Sequence, residues 1–322
     1  MSFARTASEV LRPDDIAPAK SFRLARRLVK RPVAVVAIVI IIIIYGAGIF
    51  APLVAPYGFN KTDFDDRFAS PSLEHPLGTD RLGRDTLSRL IWSAQTTVII
   101  SAAAVVTGSL VFGVTAGLIS GYFGGRTDAV IMRIADTLFS VPTILLLLII
   151  NSTMKGRVDA LFRDIENFLG TDWIVSSGLP SYFLVFGALA IFGWVGMARL
   201  VRSQVLSLKQ SAFITSAEAS GASTKRILFQ HLLPNVANLL IVALTLSLGA
   251  AAVAEVGLTF LGIGVQPPHP SFGVMIFESA GVTNVREHPQ LLLFPAAVIS
   301  ALMLSFNLLG DVLTEEMSPR RR

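Results

Sequence analysis

Apolar positions in this chain come in long unbroken runs. Val33 to Ile44 contains only Val, Ala and Ile, and comparable stretches recur with polar segments between them. A helix needs about 20 apolar residues to cross a hydrocarbon core about 30 Å thick, and the runs approach or exceed that length. Six runs are predicted as spans. The first starts near Pro32, which is harmless at a helix start because its missing N–H has no partner there. The others cover Leu90–Tyr122, Thr137–Asn151, Ser181–Ala198, Asn235–Leu261 and Gln290–Leu309. Pro142, inside the third run, predicts a kink there. The implied fold class is an all-α membrane protein with six transmembrane helices.

The polar stretches organise the rest. Residues 1–31 read as an N-terminal tail, 32–56 as the first transmembrane helix and its Pro-punctuated end, and 57–89 as a connecting segment outside the membrane. Residues 90–313 form the core with spans two to six, and 314–322 a short C-terminal tail. In the 57–89 segment the acids Asp63, Asp65, Asp66, Glu74, Asp80 and Asp85 balance Lys61, Arg67, Arg81, Arg84 and Arg89. Residues 152–180 read as a second external loop with a short amphipathic helix at Val158–Phe168, and 265–289 as a Pro-rich third. In the second span Gly113, Gly117 and Gly121 recur every four residues on one helix face, either as a packing seam for another helix or as part of a path. Arg133 and Asp136, three apart, are predicted to pair locally; Arg199 and Arg202 read as anchors at the inner face.

With 52% hydrophobic and 15% charged residues, the composition agrees with a lipid environment. The formal charge of +5 is explained by topology rather than by nucleic acid. Lys20, Arg23, Arg26, Arg27, Lys30 and Arg31 precede the first span and Arg320, Arg321 and Arg322 close the chain, which places both termini in the cytoplasm. There is no cysteine, and the four histidines show no metal spacing. No phosphate-binding glycine loop and no nucleophile with a base at useful spacing appears, so neither a catalytic nor a metal residue is predicted.

One polar segment is different in kind. From Leu206 to Pro234 the chain predicts a helix ending near Ser220, a turn at Gly221 in a left-handed conformation, and a second helix capped by Ser223 or Thr224. Ile227, Leu228, His231 and Leu232 place an apolar face on that second helix, and His231 reads as structural. Such a face needs a cover, either the chain's own inner end or a groove on a partner.

The segment Phe213-Ile-Thr-Ser-Ala-Glu-Ala-Ser-Gly221 with His231-Leu-Leu-Pro234 resembles the loop by which permease subunits of ABC importers dock on their ATPases. Ala217, Ala219, Gly221, Leu233 and Pro234 match that pattern, and Phe213 with the His-Leu-Leu-Pro ending resembles its dipeptide/oligopeptide branch. Thr215 stands where the family usually has an acid, and Glu218 where a base often occurs, which leaves Glu218 as a substitute contact. The likeness extends through Arg26–Pro32, Phe50–Tyr57, His75–Arg89, Glu255–Pro268 and Asn307–Asp311, and it is similar to the "C"-type subunit.

The resemblance implies a type I importer permease fold in the bacterial inner membrane, with a coupling helix between spans four and five. It also implies a homologous second permease, two ATPase subunits that hold ATP and magnesium, and an external binding protein that delivers peptide. This chain itself is expected to hold no cofactor. Related permeases carry nickel chelates, glutathione or peptide antibiotics, so these stand as alternative cargoes. An ATP-independent secondary transporter would need coupling-ion groups near mid-membrane, and here charges sit at span ends. Glu255, about 30 Å along a helix from Pro234, is predicted near the outer surface, either lining an external gate or tying helices together.

Overall fold

The computed structural model describes residues 27–317. The tail before residue 27, with Lys20, Arg23 and Arg26, and Arg320–Arg322 lie outside the described residues. No strand occurs among those described, and the architecture is a bundle of long helices. We number α1 (Pro32–Ile49), α2 (Thr86–Phe123), α3 (Gly125–Ser140), α4 (Thr143–Leu169), α5 (Leu179–Lys209), α6 (Ala212–Ala219), α7 (Thr224–Phe260), α8 (Phe272–Ser279), α9 (Val282–Glu287) and α10 (Gln290–Met317). Five of them, α1, α2, α5, α7 and α10, are each long and apolar enough to cross a membrane; α3 and α4 together supply a sixth span.

The third span is broken rather than kinked. Helix α3 stops at Ser140, Val141 and Pro142 are extended, and α4 leaves at 88°. Proline crowds the residue before it out of the helical region, and Val141 at ψ 135° has yielded to that. Nothing then stops α4 at Asn151. It runs 27 residues in all, from Thr143 to Leu169, and ends at Gly170, a left-handed stop at φ 65°, so the predicted Val158–Phe168 helix is its C-terminal part.

Three other boundaries move. Helix α5 runs past Ala198 to Lys209, taking up the start of the predicted Leu206–Pro234 segment. Helix α7 passes through Pro234 without a break, because a wide π-helical stretch, Ile227–Leu232, precedes it. Proline withdraws an N–H from the carbonyl four residues back, and the looser turn lies where Gln230 loses that partner. Asn235 Nδ2 donates to the adjacent His231 carbonyl at 2.6 Å. Finally, α10 extends to Met317, and Arg31 at the start of α1 reaches Glu316 at 3.1 Å, so the predicted tail from residue 314 begins as helix.

The charged 57–85 segment and the hairpin around Gly221 lie at opposite ends of α2, whose 38 residues span about 57 Å. Asp85 starts α2 by accepting from the Ser88 N–H at 2.7 Å, which satisfies an orphan donor of the first turn.

Candidate functional site

The hairpin is built from its main chain outward. Helix α6 ends in a Schellman motif: the Ala222 N–H donates to the Ala217 carbonyl and the Gly221 N–H to that of Glu218, both at 3.0 Å. Gly221 supplies the φ of +77° this closure requires, and open space surrounds the position where a Cβ would stand. Ser223 then accepts from the Arg226 N–H and begins α7.

The inward face is covered by the chain itself. Ile214, Ile227 and Leu232 are fully buried, and with Leu228 they pack among Val201 and Val205 of α5 and Leu118 of α2. Of the two covers foreseen for the second helix, its own inner end is therefore the one used. Phe213, Thr215, Glu218, Ala219, Gly221 and Pro234 remain exposed, while Ala217, His231 and Leu233 are half-buried. Thr215 donates to the Ser211 carbonyl at 3.3 Å, and Glu218 accepts from the Tyr122 hydroxyl at 3.2 Å. Lys209 donates to the Tyr122 carbonyl at 2.5 Å and lies over its ring. Tyr122 and Lys209 fasten the hairpin to α2, a role not legible in spacing because they lie 87 residues apart.

Below the hairpin, Gly113, Gly117 and Gly121 all face α5. A Cβ on Gly117 would come within 2.6 Å of Val201 Cβ and 2.7 Å of the Ala198 carbonyl; Gly113 and Gly121 meet Met197 and Val205 the same way. A fourth glycine, Gly108, lies against the Ala190 backbone. It escaped the four-residue rule because Val105–Gly113 is π-helical, and the extra residue per turn makes five-residue spacing return to the same face. Arg133 and Asp136 do not pair with each other. Asp136 binds Arg199 at 2.6 Å, and Asp128 takes the Arg202 guanidinium through both oxygens, so both arginines hold α3 to α5.

At the opposite end three buried charges and the partly buried Glu278 form a closed ring. Asp80 Oδ2 lies 2.7 Å from Arg84 Nε and 2.6 Å from Arg89 NH1, and Glu278 Oε2 lies 2.8 Å from the NH2 groups of both arginines. The ring ties the 57–85 segment and the start of α2 to α8. Balanced charge in 57–89 was visible in the sequence; Glu278, 194 residues from Arg84, was not.

Glu255 is completely buried five residues before the end of α7. Thr97 donates to one carboxyl oxygen at 3.0 Å and Thr259 to the other at 3.1 Å. Thr259 in turn accepts from the Val265 N–H at 3.1 Å, and Gly264 and Gly273 press so close to Thr259 that any Cβ would collide with it. Glu255 thus joins α2, α7 and the loop after α7, and it does not line the cavity described next.

That cavity, of about 470 Å³, lies among α2, α4, α5 and α7. Its walls are small or apolar, with Ser109, Thr143 and Ser247 as the polar exceptions and no ionisable side chain. Among the described residues no cluster of His, Asp and Glu is placed to hold a metal ion.

Residues 113–322 match the family described as binding-protein-dependent transport system inner membrane component. Residues 22–71 match the N-terminal transmembrane domain of oligopeptide transport permease C. The chain is 36% identical over 289 residues to the oligopeptide transport system permease protein OppC of Bacillus subtilis, covering 90% of this chain and 86% of that one. It is 36% identical over 297 residues to the dipeptide transport system permease protein DppC of Alkalihalophilus pseudofirmus, with 92% and 89% covered. To the glutathione transport system permease protein GsiD of Escherichia coli it is 35% identical over 319 residues, with 98% and 96% covered. A hydrophobic helical bundle matched over nearly its whole length by such permeases is a multi-pass membrane transport permease, and the chain belongs to the binding-protein-dependent transport system inner membrane component family.

Proposed function

We propose that this chain is one of two permease subunits of an ATP-driven importer of di- and oligopeptides in the bacterial inner membrane. Both termini and the Gly221 hairpin face the cytoplasm, where the hairpin docks on a separate ATPase subunit that holds ATP and magnesium. A homologous permease completes the translocation path, and an external binding protein delivers cargo.

The observation that carries this reading is the two-faced build of the hairpin. Its inner face is anchored in the span core through Ile214, Ile227 and Leu232, while Phe213 and Thr215 are exposed and Glu218, also exposed, is held by the Tyr122 hydroxyl. A docked partner that moves such an element moves α2, α5 and α7 with it, which is what rigid-body alternating access requires. ATP biases the two states only if the ATPases bind them unequally. Basic residues beside the start of α1 and at the chain's end support the cytoplasmic assignment. Relatives named for oligopeptide and dipeptide transport support peptide as cargo. Glutathione, itself a short peptide, is the second reading, favoured by the match to GsiD over 98% of the chain.

The test is Gly221→Val in the assembled importer. A β-branched residue at φ +77° disrupts the Schellman closure while the surrounding space stays open, so the hairpin is distorted without steric damage to the core. ATPase co-purification and peptide uptake in proteoliposomes are both expected to fall. Unchanged values for both would overturn the docking role, and uptake driven by a proton gradient without ATP would replace the whole reading with secondary transport.

A further inference from the structure

The cavity sits where two helices lose their regularity. One wall is the π-helical stretch of α2, which contributes Val105 and Ser109. Another is the first turn of α4 directly after the 88° break, with Thr143 and Ile144. Wide turns are costly within helices and recur at functional sites. The facing wall, α7, is lined with Ala250, Ala251 and Ala254, so that side removes volume at successive turns. Two departures from helix geometry and a row of small residues leave a space of about 470 Å³, inside the range of small-ligand sites.

Its chemistry restricts the occupant. With no ionisable group in the wall, a charged side chain entering it would lose water and gain no partner. The Ser109 hydroxyl is already turned to the Gly193 carbonyl, at 3.4 Å. An uncharged, apolar side chain loses nothing on entry and buries its surface.

Resting on the peptide-importer reading, we infer that this cavity is a side-chain subsite of the transport path, which accepts an uncharged apolar or aromatic side chain of the passing peptide. Selection by size in such a space is modest per methylene but large for an aromatic ring that no longer fits.

The test compares uptake of Ala-Phe-Ala with that of Ala-Ala-Ala by the complete importer in proteoliposomes, with the same binding protein throughout. Ala251→Val and Ala251→Leu fill the space in steps. The ratio of Ala-Phe-Ala to Ala-Ala-Ala uptake is expected to fall stepwise, by about tenfold or more for Leu. Because the readout is a ratio within one preparation, a variant that assembles poorly lowers both rates and leaves the ratio interpretable. An unmoved ratio in both variants overturns the subsite while the importer reading stands. Failure of the unmodified importer to carry either peptide overturns the importer reading and the subsite with it.

Discussion

Removing one member of the buried charge ring offers the sharpest quantitative test of the structure. In Glu278→Ala the NH2 groups of Arg84 and Arg89, each 2.8 Å from the carboxylate, lose that partner together. The arginine side chains are only 4% exposed, so water does not replace the acid. Arg89 Nε and NH2 make no hydrogen bond among the described residues, the NH2 contact with Glu278 being an ion pair by distance, so only the NH1 bond to Asp80 is left to that guanidinium. Stranding buried charge by deleting one partner costs about 3–5 kcal/mol. The cost falls on the docking of the 57–85 segment against α8, because those elements meet through the ring. At about 1.4 kcal/mol per tenfold, opening of the segment should rise by at least about a hundredfold. Hydrogen exchange reads this directly at Asp80, whose N–H donates to the Arg84 carbonyl at 3.0 Å, and at Thr86, which donates to the Gly78 carbonyl at 3.0 Å. Replacing the ring by apolar residues, Glu278→Leu with Arg84→Met, Arg89→Met and Asp80→Leu, should recover much of the loss, since buried ion pairs add little beyond a packed apolar equivalent. Added salt should change little, because the pairs are shielded from the ions that screen surface charges. Less than about a fivefold change in exchange for Glu278→Ala would refute the idea that these charges share one desolvated site.

Other expectations follow from single contacts. Gly117→Ala forces a Cβ to within 2.6 Å of Val201 and should cost about 1–3 kcal/mol in thermal unfolding; Val201→Gly should restore part of it, and additivity of the two would count against a direct clash. Glu255→Leu leaves the Thr97 and Thr259 hydroxyls without their acceptor and should destabilise by about 2–4 kcal/mol, whereas Glu255→Gln keeps an acceptor and should cost less; normal uptake of every tested peptide by both variants would exclude a gate. His269, in the loop after α7, has its pKa held below the ordinary 6.5 by burial. The folded loop therefore binds fewer protons than the unfolded one in that window, so its packing should be complete above about pH 6.5 and loosen as pH falls below it, and His269→Gln should flatten that dependence in hydrogen exchange.

The spans were legible because lipid demands length and apolarity, and both are written directly in the chain. Where a span ends was less so. Ala198 looked like an end because Arg199 and Arg202 follow it, yet both side chains are satisfied by Asp136 and Asp128 from α3, and the helix continues. Pro142 and Pro234 illustrate the same limit from opposite sides. One breaks its helix, with the residue before it extended, and the other is carried by a π-helical stretch, a choice made by the backbone around each ring. In the hairpin, Gly221 and the apolar face were readable from residue type and period. Tyr122 and Lys209 were not, because tertiary contacts of that kind leave no local pattern.

Helix α2 shows how these pieces constrain transport. Its first turns are held by the charge ring to α8, and its last turns by the glycine seam to α5 and by Tyr122 to the hairpin. Between them lies the π-helical stretch, beside a cavity rather than a packed helix along part of its length. A close-packed interface resists continuous deformation, so relative movement is expected where packing is incomplete. The seam makes α2 and α5 follow the hairpin together at one end, and the ring makes α2 and α8 hold together at the other. A displacement imposed at the hairpin is then either carried through α2 as a rigid rod or absorbed at its wide turns. Glycines that permit close helix approach favour the first outcome, and because Gly108 and Gly113 carry the same close contact with α5 into the π-helical stretch, compliance is confined to the side of that stretch that faces the cavity.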